Sequence, residues 1–460
     1  MLEHLTDLGP ETAASQPSPP KTASSQPSSP EGIGSSGLAA LTRDFPPHTP
    51  RPAGAPLALQ GVRVVDFSHF IAGPLATMFL ADLGADVIKI EPPGRGDDLR
   101  RYPPELPQLP DQGGPFLWSN RGKRSVALDL KHPQGLAVAR ELIAGADVLV
   151  ENFSTGVMER LGLGQAECRA AHPRLIFCSV SAYGRDGPFA DRMGFDPVVQ
   201  AESGFVSMNG YPDRQRVRAS AAVMDMGTAM MASNAVLAAL YARTHQGVGQ
   251  HVEVGLYDTG ILMTGWAPMQ YLLTGKEPQR HGNVSPDTCP SGVFSASDQD
   301  FYINCGNDRV FHRLAANVIE RRDLAQDAEL AARQGRTARR EELFRVLGEE
   351  FARQPWSHWQ ARMRQAGVPC GLVRSVSQAL RSEETRARGT VSWIEHPTAG
   401  PIPNIAPPWR FSATPVADPV AAPSVGQHTA EVLREVLGYG DERIAALRAA
   451  GAFGESAAKA

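Results

Sequence analysis

This 460-residue chain has few cysteines, no membrane-length apolar run and no excess of either charge. Its five cysteines (Cys168, Cys178, Cys289, Cys305 and Cys370) are odd in number and widely spaced, with no CxxC and no Cys/His pair at ligand spacing. That excludes a disulfide scaffold and leaves no zinc motif, so no metal is expected and inert thiols in a reducing cytoplasm are the natural reading. With 45 Lys+Arg against 49 Asp+Glu, a net charge of −4, the chain lacks the basic footprint that a phosphate backbone requires, and nucleic acid is not an expected partner. No apolar run approaches the ~20 residues of a bilayer span, so no membrane is expected either. Phosphate-loop GxxxxGK[ST], GxGxxG following a strand, the GxSxG elbow and HExxH are all absent. Nucleotide hydrolysis, Rossmann-type dinucleotide use, hydrolase-type serine chemistry and zinc proteolysis lose their sequence support together.

What is present is 42% hydrophobic sequence, ample for two or three cored domains, behind an uneven start. Residues 1–56 are dominated by Ser, Pro, Ala, Gly and Thr, with SQPSPP (15–20) and SQPSSP (25–30), and read as disordered because they cannot bury enough apolar area to offset their ordering entropy. No apolar segment follows the start, and Glu3, Asp7 and Glu11 do not suit an organellar presequence, so cytoplasmic residence is expected.

From Leu57 the texture alternates. GVRVVDFS (61–68), DVIKIEP (86–92), SVALDL (125–130), DVLVENF (147–153), LIFCSVSAYG (175–184) and QHVEVGL (250–256) read as strands. AGPLATMFLADLGA (72–85), HPQGLAVARELIAGA (132–146), 155–161 and the long 227–247 read as helices. This is the βαβ pattern of a parallel sheet. Residues 293–308 suggest two short strands, two charged helices follow at about 309–334 and 338–366, and a Pro-rich stretch at 400–425 precedes a last helix from Thr429 to Gly438. The expected fold is α/β: a large Rossmann-like parallel-sheet domain (57–277), a smaller α+β domain (278–385) and a C-terminal return to the first (386–460). Strand ends meeting helix N-termini would give it an anion-binding mouth.

Several segments carry a more specific signal: 59–100, SNRGKRSVALDLKHPQG (119–135), SAYGRDGPFADRMGFDPVVQAESG (181–204), QGVGQHVEVGLYD (246–258), GND (306–308), GVPCGLV (367–373), EHPTAGPI (395–402) and AALRAAG (445–451). In order and spacing they closely resemble the family III CoA-transferases, the group that includes the formyl-CoA and carnitine CoA-transferases, over essentially 57–452. The resemblance implies a coenzyme A thioester as substrate rather than a bound cofactor, a small organic acid as acceptor, and a homodimer of interlocked rings. It also places the family's nucleophilic aspartate at Asp225, in AAVMDMGTAMM. From position alone Asp225 reads as an N-cap or first-turn carboxylate of the helix that follows, and the same helix start would hold it ionised. The implied chemistry is attack on a donor thioester, then an aspartyl anhydride and an aspartyl-CoA thioester, with succinyl-CoA as one candidate donor.

By the same resemblance, His69 and Phe70 border the reacting end, Asn120, Arg121 and Lys123 lie by the nucleotide, and Asn152 and Phe153 line the pantetheine path. Arg160 and Arg192 would contact phosphate or adenine, with Gly194 and Phe195 near the thioester. For each basic residue the plain alternative is a solvated surface charge. Asp196 and His69 are further candidates for a catalytic carboxylate and base, although Asp196 before Pro197 could simply open a helix. Arg280, His281 and Arg309 could supply charge for an acceptor carboxylate. Ile71 stands where the formyl-CoA enzymes have glutamine, and Ser285-Pro286-Asp287-Thr288 replaces their glycine run, so oxalate is not implied. The alternative chemistry is the α-proton abstraction of the related 2-methylacyl-CoA racemases. Those carry a histidine where this chain has Phe195, which cannot transfer a proton.

Overall fold

The computed structural model describes residues 44–454. Six strands, β1 (Arg63–Asp66), β2 (Asp86–Glu91), β3 (Lys123–Ala127), β4 (Val148–Glu151), β5 (Ile176–Ser181) and β6 (His251–Gly255), form one sheet in the order β3-β2-β1-β4-β5-β6. Every pairing in it is parallel. Successive side chains point to opposite faces, so β1 sends Val64 into one core and Val65 into the other. The first core packs Val64, Val87, Val148 and Ile176 against α1 (Ala72–Asp82) and the long helix α4 (Val223–Gln246). The second packs Val65, Ile88, Val126, Leu149 and Phe177 against α2 (Pro133–Ala144) and against residues near the C-terminus.

Helix α3 (Asp196–Glu202), α4 and α5 (Leu256–Met263) pack on one another beside β5 and β6. At 24 residues α4 is long and apolar enough to cross a bilayer by length and composition, but its inward face is core, sealed against the sheet and α1. Gly227 of α4 lies so close to Thr259 of α5 that a Cβ there would approach the threonine methyl to 3.0 Å. Beyond α5, α6 (Ala267–Thr274) turns much of its apolar surface outward.

A second unit carries an antiparallel sheet of β7 (Ser291–Ser295), β8 (Asp300–Asn304) and β9 (Cys370–Leu372), cored by Phe294, Phe301, Phe351, Trp356 and Trp359. Its two expected long helices are broken. Glu320 takes a left-handed φ of +57°, and Pro355, which lacks an N–H, separates α7 (Arg340–Phe351) from α8 (Trp356–Ala366). The hairpin β10 (Val391–His396) and β11 (Gly400–Ile405) follows. Helices α9 (Thr429–Leu437) and α10 (Asp441–Ala449) then return to the large sheet, where Val432, Leu433, Ile444 and Leu447 complete its second core.

Of the head expected to be unstructured, residues 1–43 lie outside the described residues. Residues 44–56 instead follow a fixed path. His48 N donates to Trp393 O and Trp393 N to Pro46 O, while Asp44 pairs with Arg381 and Asp418 pairs with His48. Edge-strand hydrogen bonding holds this stretch, which composition does not register.

Candidate active site

Strand order reverses direction between β1 and β4, and this switch point of an open parallel sheet is where a crevice forms. A cavity of about 540 Å³ opens there. Its wall takes His69 and Phe70 from the turn after β1, Asn152 and Phe153 from the turn after β4, Arg192, Gly194 and Phe195 from the loop after β5, and Asp225 from α4.

The 69–70 turn is built by buried and half-buried polar side chains. Asn152 accepts from His69 N at 2.9 Å and donates to His69 O at 2.8 Å. Asp97 accepts from Phe70 N at 3.1 Å, and Lys89, paired with Asp97 at 3.0 Å, donates to Ser68 O at 2.7 Å. Held this way, Phe70 adopts φ +62°, which costs a non-glycine residue roughly 1 kcal/mol or more. Its ring meets Tyr102 and Phe195 edge-on, forming one apolar wall. His69 stacks at a tilt on Phe153, and burial keeps its imidazole below the ordinary histidine range, hence neutral at pH 7. Two glycines are required by close approach: a Cβ on Gly73 would overlap Ser68, and one on Gly194 would lie 2.8 Å from Ala182.

Helix α4 begins four residues earlier than its sequence pattern suggests, so Asp225 is its third residue. The capping role falls to another carboxylate. Asp196 accepts from Met224 N at 2.6 Å and from Asp225 N at 3.3 Å, and Gln200 donates to its other oxygen at 2.5 Å. The Asp225 carboxylate accepts no hydrogen bond among the described residues. Burial first, and the Asp196 charge second, push its pKa up to about 7. The expectation that the helix start would hold Asp225 fully ionised is therefore corrected: the helix N–H groups serve Asp196, while Asp225 bears desolvation and like-charge repulsion.

Not every residue singled out by sequence reaches the cavity. Lys123 is buried, with its ammonium on Asp66 (2.9 Å), Pro74 O (2.8 Å) and Asn120 (2.8 Å), which uses all three donors. Burial lowers its pKa to about 8 against the pull of Asp66, whose carboxyl is held well below the usual range despite its own burial. Asn120 is enclosed in the same cluster, and Arg121 forks onto Asp82 at 2.9 and 2.5 Å. These three are neither surface charges nor cavity residues; they knit β1, β3 and α1 together. Arg160 is exposed and outside the cavity wall. Arg280 donates to Pro212 O and Arg214 O, and neither it, His281 nor Arg309 lines the cavity. The 285–288 segment is pinned to the second unit by Arg340 and Arg333.

Several cavity residues escaped the sequence reading, Arg185, Tyr102 and Arg218 among them. Arg185 binds Glu151 and donates to Phe153 O at 2.6 Å, fixing the turn after β4. Tyr102 joins the aromatic wall, and Arg218 stands on the loop leading into α4. Of these three, only Arg185 lay within a recognisable motif. Burial raises Cys168 to about 11 and Cys178 and Cys305 to about 12, so these thiols stay protonated and unreactive.

A doubly wound sheet with an apolar crevice and a desolvated carboxylate at its switch point has the layout of a ligand-binding α/β protein. Comparison with known proteins gives the family. The model of CoA-transferase family III matches residues 59–429. The chain is 35% identical over 382 residues to a succinate–glutarate CoA-transferase of Agrobacterium fabrum, covering 82% of this chain and 95% of that one. It is 33% identical to the human succinyl-CoA:glutarate CoA-transferase, covering 85% and 89%. The crystal structure of a CaiB/BaiF family protein from Brucella suis superposes with a TM-score of 0.75 at 33% identity, covering 83% of this chain and all of that one. The chain belongs to CoA-transferase family III, and it is by that membership a CoA-transferase.

Proposed function

We propose that this enzyme moves CoA from a donor thioester to a small carboxylic acid with Asp225 as the covalent nucleophile. The observation that carries the reading is the Asp225 carboxylate itself, facing the cavity, unbonded, and poised near neutrality. Ionised Asp225 attacks the thioester carbonyl; the C–S bond breaks, CoA leaves as thiolate, and an aspartyl anhydride remains. The thiolate then attacks the aspartyl carbonyl and expels the donor acid, giving aspartyl-CoA. An acceptor carboxylate attacks that thioester, releases thiolate and forms a new anhydride, whose acyl carbonyl the thiolate captures to leave product and free Asp225. No ATP is needed, because every intermediate is an activated acyl group. The aromatic wall of Phe70, Tyr102 and Phe195 supports exclusion of the water that would hydrolyse them.

Succinyl-CoA is the proposed donor, supported by the relatives' names and by a cavity that holds arginine as well as apolar surface. The racemase alternative finds no second proton-transferring group where it needs one, since Phe195 occupies that place at the start of α3. A homodimer is also proposed. Leu262, Trp266, Leu272 and Leu273, on α5, α6 and the turn between them, are all more than 60% exposed, an apolar face suited to a second subunit. The functional test is acyl exchange between succinyl-CoA and a panel of acids, run beside α-hydrogen exchange of a chiral 2-methylacyl-CoA. CoA exchange that is lost in Asp225→Asn supports the reading, and α-exchange without CoA transfer overturns it.

A further inference from the structure

The cavity contains three guanidinium groups, and their partners differ. Arg185 is consumed by the Glu151 carboxylate and by the carbonyls of Phe153 and Val180. Arg192 pairs with Glu202 and lies over the Tyr183 ring. Arg218 has no carboxylate partner among the described residues. Its Nη1 donates to Ala219 O at 2.9 Å and reaches Ser220 O at 3.5 Å, and its remaining N–H groups make no hydrogen bond to the described residues.

The backbone under Arg218 is fixed, and it is fixed to the nucleophile. Gln200, fully buried, accepts from Ala219 N at 2.8 Å and donates to Ala219 O at 3.3 Å. The same amide donates to Asp196, whose other oxygen caps the helix that carries Asp225. One network of Gln200 and Asp196 therefore sets both the loop that carries Arg218 and the first turn that carries Asp225. Arg218 lines the cavity at its exposed rim with N–H groups to spare, and a planar guanidinium fork of this kind is suited to a second carboxylate held bidentately.

Resting on the Asp225 mechanism, we infer that Arg218 binds the carboxylate of the substrate acid that does not react, which makes dicarboxylic acids and their mono-CoA thioesters the substrate class of this site.

The test uses the full-length enzyme and single-turnover capture of the covalent enzyme–CoA species from succinyl-CoA and from acetyl-CoA, in the native protein and in Arg218→Ala and Arg218→Lys. Removing a charge-assisted hydrogen-bonded pair is expected to slow capture from succinyl-CoA by about 10- to 100-fold. Capture from acetyl-CoA, which has no second carboxylate, should change by less than about threefold, and the lysine variant should recover part of the difference as a point charge. An equal loss with both donors would assign Arg218 to CoA itself and overturn the inference, as would no loss with either. If the native protein captures neither donor, the Asp225 mechanism fails instead, and the two failures are distinguishable.

Discussion

Asp196 caps the first turn of the helix that carries Asp225, accepting Met224 N at 2.6 Å and Asp225 N at 3.3 Å. A second negative charge thus stands beside the proposed nucleophile, and the helix N–H groups that would have favoured Asp225 ionisation are spent on it. Of the other ionisable groups on the cavity wall, His69, Tyr102, Arg185, Asp191, Arg192 and Arg218, none accounts for the upward shift; burial and Asp196 do.

The reacting form of Asp225 is the anion, so kcat/KM should rise with pH through an apparent pKa near 7. Asp196→Asn keeps an acceptor oxygen for the helix N–H groups but removes the charge, and should move that acid limb downward. A pH profile of the variant unmoved from the native one would remove Asp196 from this role.

The same shift has a stability counterpart. The folded-state pKa of about 7 lies above the ordinary 3.8, so the folded protein keeps a proton that the unfolded chain has lost. Stability contributed by that proton is present below the unfolded pKa and declines as pH rises towards 7. Asp225→Asn escapes the decline. Its Tm should exceed the native value at pH 8, by an amount corresponding to a few kcal/mol at ~1.36 kcal/mol per pH unit, and the gap should close as pH falls towards 4. Equal Tm values at pH 8 would show that Asp225 is not desolvated.

Lys123→Met should leave Asp66 buried beside fewer compensating charges, at a cost of about 3–5 kcal/mol. Thermal unfolding should register the loss, while KM for the acyl-CoA, measured where the variant is still folded, stays near the native value. A large KM change without a Tm change would return Lys123 to the nucleotide site.

Trp266→Glu or Leu273→Asp on the exposed apolar face should yield monomers by light scattering at micromolar concentration, where the native chain is expected to run as the proposed dimer. A monomeric native protein would contradict the proposed assembly.

The strands were legible because β-branched runs such as Val62–Val65 and Val87–Ile90 alternate with turn residues, and both faces of a parallel sheet are apolar. The starts and ends of helices were less so: α4 begins at Val223 because Asp196, 27 residues earlier in sequence than Val223, supplies its cap. Asp225 could be singled out only by motif resemblance, since one aspartate before an apolar helix is ordinarily a cap. Lys123, Asn120 and Arg121 were misplaced because a charged motif does not tell whether its charges face a ligand or one another across β1 and β3. Arg218 lay outside every motif, and Gln200, though within 181–204, carried no sign of its role; the hydrogen bonds by which Gln200 joins the Arg218 loop to the site exist only in three dimensions.

The central claim is the covalent role of Asp225, and mass spectrometry of the enzyme after brief exposure to succinyl-CoA and hydroxylamine tests it most directly. The account predicts a hydroxamate on the peptide containing Asp225, dependent on the thioester and missing from Asp225→Asn. Full CoA transfer by the native enzyme with no modification of that peptide, or undiminished transfer by Asp225→Asn, would contradict it.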